Sequence, residues 1–343
     1  IAVVNIIGPH LDRVMPFWSF GNRLYVSVFP KKGENNEKIK WSFGPYRHTS
    51  KHIYRKWKQS WPFYRRCISI VTKKMTHVKV SDGSNIIPND NLFDEKELEV
   101  IENNNALPSH LKVKYLENEY WSEDLSREIY WASIDLKEFY PNTNIGVIIN
   151  NFKKYFPQNK LTTELISLFK TLLVFPIDKS GWTKEELDIV KIGNEKTCKG
   201  IPTGLFVAGF LANLALLDID NRINNLLNND RRIAHFRFVD DHVFLADSYD
   251  NLKCWIEQYE NLLNESGIGV KINEDKIEPE ALREFYKRKK TKRAQKLDKL
   301  ACYGTKLDPN YPAPLMTQTL TKISNIVKID FDLLEESERD QVI

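Results

Sequence analysis

The chain has 343 residues, 42% hydrophobic and 28% charged, with a formal net charge of +4. That length and balance predict a globular protein of two or three domains or subdomains, and exclude a disordered chain or a small module held by staples. No apolar run is long enough to span a bilayer, and the opening IAVVNIIGPH has no basic segment ahead of a long apolar core, so a cytoplasmic protein without a membrane anchor is expected. The first residue is not methionine, so a trimmed end is expected. Cys67, Cys198, Cys254 and Cys302 are far apart, with no C-x-x-C pair or matching His spacing, which predicts reduced thiols rather than zinc ligands or disulfides.

The first forty residues mix aromatic and apolar positions and suggest no chemistry. From Lys38 to Ser81 there are twelve Lys or Arg and no Asp or Glu, interleaved with Trp41, Phe43, Tyr46, Tyr54, Trp57, Trp61, Phe63 and Tyr64. A one-sign stretch suits a polyanion, and the rings offer stacking surfaces for nucleobases. The alternative is that the rings are core and the charges merely face water. Within this stretch a helix is expected up to Ser60, with Pro62 opening a new element. Residues 82–110 read as a loop, a short helix and a second loop.

Residues 130–136 form an apolar strand with Asp135 inside it or at its end, followed by a Pro-Asn-Thr-Asn turn and a helix near 145–155. An Asp at a strand end is often a cap, but apolar neighbours on both sides leave its carboxylate needing a partner or a metal. An apolar helix covers 161–175, and a polar connection covers 176–200. Gly200-Ile-Pro-Thr-Gly204 then leads into a long helix on which Ala208, Gly209, Ala212 and Ala215 recur at three- and four-residue spacing. That face admits a close backbone or a flat ligand equally well.

Residues 232–239 and 242–246 are two short strands joined by a tight turn that carries Asp240 and Asp241. Asp is at home in turns, so the pair alone is weak. An amphipathic helix at 251–264, a Gly-to-strand element at 269–277 ending near Lys276, and a basic run at 286–299 complete the order. Carboxylates delivered from neighbouring strands are what two-metal phosphoryl displacement requires, with Mg²⁺ drawing its remaining ligands from water and substrate phosphates.

Four segments in this order resemble the palm of a reverse transcriptase. Asp135-Leu-Lys-Glu-Phe139-Tyr140 resembles the family's first catalytic motif, and Phe238-Val-Asp240-Asp241 its Tyr/Phe-x-Asp-Asp box. Gly200-Ile-Pro-Thr-Gly204 with Leu211-Ala-Asn213-Leu214 resembles the motif between them, and Gly269-Val-Lys-Ile-Asn273-Glu-Asp-Lys276 the one that follows. The resemblance implies an α+β right-hand polymerase whose antiparallel palm sheet is backed by helices. Fingers are expected at 1–128, the palm at 129–280 with a helical connection at 145–200, and a basic thumb or the start of a helical C-terminal domain at 281–343.

It further implies an RNA-directed DNA polymerase, a nucleotidyltransferase using two Mg²⁺ ions, with Mn²⁺ as an alternative. Asp135, Asp240 and Asp241 would be metal ligands, and Lys276 would lie near the pyrophosphate leaving group. Tyr140, Phe139, Thr203 and Gly204, with Arg65, Arg66 and Lys73, would meet the dNTP; Lys74 is a further phosphate candidate. Tyr140 stands where the family carries a bulky residue against the ribose 2′-hydroxyl, which implies deoxynucleotide substrates. Lys287, Arg288, Lys289 and Lys290 would bind nucleic acid.

The middle motif departs from the family, with Thr203 where many members have Gln and Ala208 where Ser is common, and the usual basic pair of the fingers is not located. WSFGPYR (41–47) and SWPFYRR (60–66) resemble divergent bacterial reverse transcriptases of the abortive-infection and anti-phage defence group. That group implies a non-coding RNA partner, synthesis without a conventional primer or template, priming in some members from a tyrosine hydroxyl, and homo-oligomers. Rival readings are a conventional retron- or intron-type enzyme and a catalytically silent RNA-binding scaffold.

Overall fold

The structure is a computed structural model that describes residues 1–31, 40–46, 53–76, 93–107, 111–121, 128–175, 180–183, 200–273, 279–282 and 284. The chain divides into two compact units, Ile1–Glu280 and Ala281–Ile343. The first unit carries the sheet and helices around the carboxylates.

Helix α1 (Ala2–Asp12) opens the chain, and β1 (Val26–Lys31) pairs antiparallel with β2 (Lys40–Tyr46). Helix α2 (Trp57–Thr76) follows, and it runs straight through Pro62. The sequence expectation of a break there is overturned: Pro62 removes a single helical N–H, while Tyr64, Cys67, Ile70, Val71 and Met75 bury one face of the turns beyond it. Tertiary burial outweighs the local penalty. Helix α3 (Glu95–Ala106) starts with a capping box in which Asp94 accepts from the Glu97 amide and Glu97 accepts from the Asp94 amide.

The main sheet joins β3 (Tyr130–Lys137), β4 (Ile233–Phe238), β5 (Asp241–Ala246) and β6 (Lys271–Ile272) in the antiparallel order β4-β5-β3-β6. Between the strands come α4 (Phe139–Asn142), α5 (Ile145–Tyr155), α6 (Thr163–Leu173), α7 (Ala208–Asn229) and α8 (Tyr249–Ser266). Strands and helices in this range agree with the α+β reading. Along β3 burial alternates: Ala132, Ile134 and Leu136 are buried, while Ser133 and Lys137 are exposed. This is the period of a strand with one covered face, and α8 packs on β3, β5 and β6.

Strand β4 is buried along its whole length. One cause lies in the N-terminal segment: Arg237 N–H donates to Trp18 O at 3.0 Å and Phe20 N–H donates to Arg237 O at 2.8 Å, so residues 18–20 run beside β4 as an added edge. The small residues of α7 meet protein rather than an open face. Ala212 and Ala215 are fully buried, and a Cβ on Gly209 would lie 2.4 Å from the Asn22 side-chain nitrogen. Among the described residues, no helix is long and apolar enough to cross a membrane.

Candidate active site

Asp135 and Asp241 are direct cross-strand partners in the β3–β5 ladder. Side chains of paired residues leave a sheet on the same side, so the two carboxylates share one face at the end of the sheet. Phe238 pairs with Asp241 across β4 and β5, leaving Val239 and Asp240 as a two-residue turn. Asp240 is half-buried beside the other two. Its carboxyl is held above the usual carboxylate range, first by burial and then by the charges of Asp241 and Asp135, with its own turn amide and Arg237 opposing. Asn273 steadies Asp135, donating its amide to Asp135 O at 2.8 Å while its side chain lies 3.5 Å from Asp135 Oδ2.

The turn itself is strained. Val239 has φ 64°, a left-handed conformation that costs a β-branched residue about 1–3 kcal/mol. Two neighbours hold it. Gly21 packs so closely that a Cβ there would lie 2.5 Å from Val239 Cγ2 and 2.6 Å from Val239 N. From beneath, the buried Arg237 guanidinium donates to Val239 O at 3.1 Å and to Asn213 Oδ1 at 2.9 Å, and pairs with Asp220. Asn213 and Asp220 sit seven residues apart on α7, two turns along one face. Asn213 also donates to Gly21 O at 2.9 Å, so one network ties α7, the N-terminal segment and the carboxylate turn.

The sequence reading missed Gly21, Arg237 and Asp220. A signal was present for the last two, since a cation inside an apolar strand and an acid on the apolar face of a long helix both demand partners. Behind the hairpin, His235, His242 and Tyr259 form a second buried chain, with His235 Nε2 to His242 Nδ1 at 3.0 Å and Tyr259 Oη to His242 Nε2 at 3.1 Å. Burial holds both imidazoles well below their usual range, so they pack as neutral rings.

Tyr140 lies on α4, half-buried, and burial followed by the Asp240 charge pushes its hydroxyl up to about 12. The glycine turn reaches it directly. Gly200, at φ 78°, sits where a Cβ would lie 2.4 Å from Tyr140 O and Pro141 O, and Ile201 N–H donates to Tyr140 O at 2.8 Å. Only glycine fits that approach. Phe139, expected beside the nucleotide, is buried and packs edge-on against the Tyr140 ring, so it supports that ring from below. Thr203 and Gly204 are exposed, on a turn whose Phe206 carbonyl accepts from Tyr54 Oη at 3.1 Å.

On α2, Arg65 is exposed and Arg66 half-buried, while Lys73 is paired with Glu97 at 2.6 Å near the far end of the helix. Lys276, Lys287, Arg288, Lys289 and Lys290 lie outside the described residues. Among the described residues no three His, Cys, Asp or Glu side chains form a ready metal cluster. The donor chemistry still fits a hard divalent cation: oxygen ligands with crowded negative charge, for an ion that takes few ligands from protein.

A family profile described as reverse transcriptase (RNA-dependent DNA polymerase) matches residues 121–292. Solved structures similar to the chain include telomerase from Candida tropicalis with the TWJ fragment of telomeric RNA, at 14% identity and a TM-score of 0.35 over 78% of this chain and 41% of that one. Apo telomerase from Candida tropicalis truncated from its C-terminal domain gives 15% identity and 0.33 over 77% and 50%. Telomerase from Candida albicans with the same RNA fragment gives 11% and 0.32 over 75% and 42%. The chain spans half or less of the length of these structures. No curated protein matches it.

Proposed function

The chain belongs to the reverse transcriptase (RNA-dependent DNA polymerase) family, and from that premise we propose that it builds DNA by adding dNTPs against an RNA template. The observation that carries the reading is the cross-strand pairing of Asp135 with Asp241 and the two-residue turn that adds Asp240 beside them. Asp135, Asp240 and Asp241 are the residues that would hold Mg²⁺, or Mn²⁺ in its place. When bound, two such ions supply positive charge to the attacking and leaving oxygens of the transfer.

The remaining roles belong to the chain's own groups. Tyr140, seated on the Gly200 turn, excludes a ribose 2′-hydroxyl and so selects deoxynucleotides. Thr203, Gly204, Arg65 and Arg66 meet the nucleotide, Lys276 lies at the departing pyrophosphate, and Lys287, Arg288, Lys289 and Lys290 grip nucleic acid. In this reading residues 1–128 are fingers, 129–280 palm and 281–343 a basic thumb or the start of a helical domain.

The biological setting we propose is anti-phage defence in the bacterial cytoplasm, with a non-coding RNA or a protein hydroxyl taking part in synthesis, and with homo-oligomers as the working form. The motif departures at Thr203 and Ala208 and the segments 41–47 and 60–66 support that setting. It is tested by purifying the chain with its bound RNA, supplying Mg²⁺ and labelled dNTPs, and sequencing the product. DNA complementary to the co-purified RNA, or label that stays on protein after denaturation, is the expected result; DNA made only on an added primed template would point to a conventional enzyme.

A further inference from the structure

The aromatic residues of the basic segment do not share one fate. Tyr64 is buried against Phe236 and Phe238, while Trp57, two turns earlier on α2, is 62% exposed. Between them stands Trp61, whose ring meets Phe238 edge-on at 4.9 Å and stacks on Trp57 with planes 14° apart and centroids 6.1 Å apart. A column of three rings, Phe238, Trp61 and Trp57, therefore rises from the strand end that precedes Val239 and Asp240 to an open indole.

The surroundings suit a polyanion. Lys56, Lys58 and Arg65 are exposed, and Arg65 follows Trp61 at i+4 and Trp57 at i+8 on the same side of the helix. No acidic residue occurs anywhere between Lys38 and Ser81. An exposed tryptophan braced by a second ring is a rigid stacking surface that orders little on binding, and any base can use it because every base has a π-face.

We infer that Trp57 is the stacking site for an unpaired nucleobase of a single-stranded RNA, the strand that enters the carboxylate site as template. Naming that strand the template rests on the polymerase reading; the binding site itself does not. Cations spread along the helix beside the rings match a chain of successive phosphates, whereas a free nucleotide would carry all of its charge at one point.

The test is equilibrium binding of the full chain to a labelled oligouridine of about a dozen nucleotides, a length in the range of single-strand sites, in EDTA, first without dNTPs and then with a free dNTP as competitor. Trp57→Ala is expected to weaken binding about tenfold, Trp57→Phe to retain most of it, and circular dichroism to show all three proteins folded. Removing the bases from the strand should bring the wild type to the affinity of Trp57→Ala and change that variant little. Equal binding by wild type and Trp57→Ala overturns the inference, as does an equal loss on strands with and without bases. Displacement of the strand by a free dNTP only when Trp57 is present, with no effect of base removal, would assign the ring to the nucleotide instead. Because the binding is read in EDTA, where no nucleotide is incorporated, failure to incorporate nucleotides in a separate assay counts against the polymerase reading alone.

Discussion

Asp135 and Asp241 face each other in register across β3 and β5, although the first lies near the end of an early strand and the second opens the later strand of a hairpin far along the chain. Like charges placed directly opposite in a ladder destabilise a sheet. A fold that sets them there, and adds Asp240 in the adjoining turn, carries a local electrostatic cost that a cation bound there would offset.

That cost has a sign that can be measured. Asp240 is raised above its ordinary range in the folded chain, so ionising it opposes folding. The penalty is absent below the carboxyl's ordinary pKa and is complete above the raised one. Asp240→Asn removes it, so in EDTA at neutral pH the variant should melt above the wild type, and the gap should close as pH falls through the carboxylate range. Mg²⁺ should raise the melting temperature of the wild type and not that of the variant. Melting curves across pH, with and without the ion, check both statements.

The buried Arg237 pairs with Asp220, and both side chains are essentially out of solvent. Removing one member of such a pair leaves the other uncompensated, so Arg237→Met should lose about 3–5 kcal/mol in denaturant unfolding. Arg237→Met with Asp220→Leu should recover much of that stability. It should not recover nucleotide incorporation, because the donor to the Val239 carbonyl is gone.

Gly21→Ala places a methyl group against the strained turn at 2.5 Å from Val239 Cγ2. The backbone must move, at a cost of about 1–3 kcal/mol. Incorporation is expected to fall with the shift of Asp240, a result visible as a drop in kcat at saturating dNTP in a protein that still unfolds cooperatively.

Tyr140→Ala should admit ribonucleotides on the order of tenfold more readily relative to dNTPs, whereas Tyr140→Phe should keep the discrimination, because the ring and not the hydroxyl meets the sugar. Competition between labelled rNTP and dNTP in primer extension reads the ratio. An unchanged ratio in Tyr140→Ala removes the gate role.

The elements that bear the carboxylates were legible because each is a short contiguous pattern: an apolar strand carrying Asp135, and two short strands parted by a tight turn. The turn falls at Val239-Asp240 and not at Asp240-Asp241, because Phe238 pairs with Asp241 and draws that aspartate into β5. The N-terminal forty residues suggested nothing, yet Trp18, Phe20 and Gly21 build an added edge and a stop for the carboxylate turn. They act through backbone groups and through the absence of a side chain, which leave no compositional mark. Arg237 was readable as a cation in an apolar strand, but its partners lie on α7, and pairing across that separation is set by the fold. Pro62 does not break α2, because burial of the following turns outweighs its local helix-breaking tendency.

The most direct measurement of the central claim is incorporation of labelled dNTPs by the purified chain, with Mg²⁺, on RNA templates that include its own co-purified RNA. The predicted result is DNA synthesis that stops in EDTA and falls on the order of a thousandfold in Asp240→Ala, while that variant remains folded. Absence of incorporation under every template condition, or synthesis undiminished in Asp240→Ala, would contradict it.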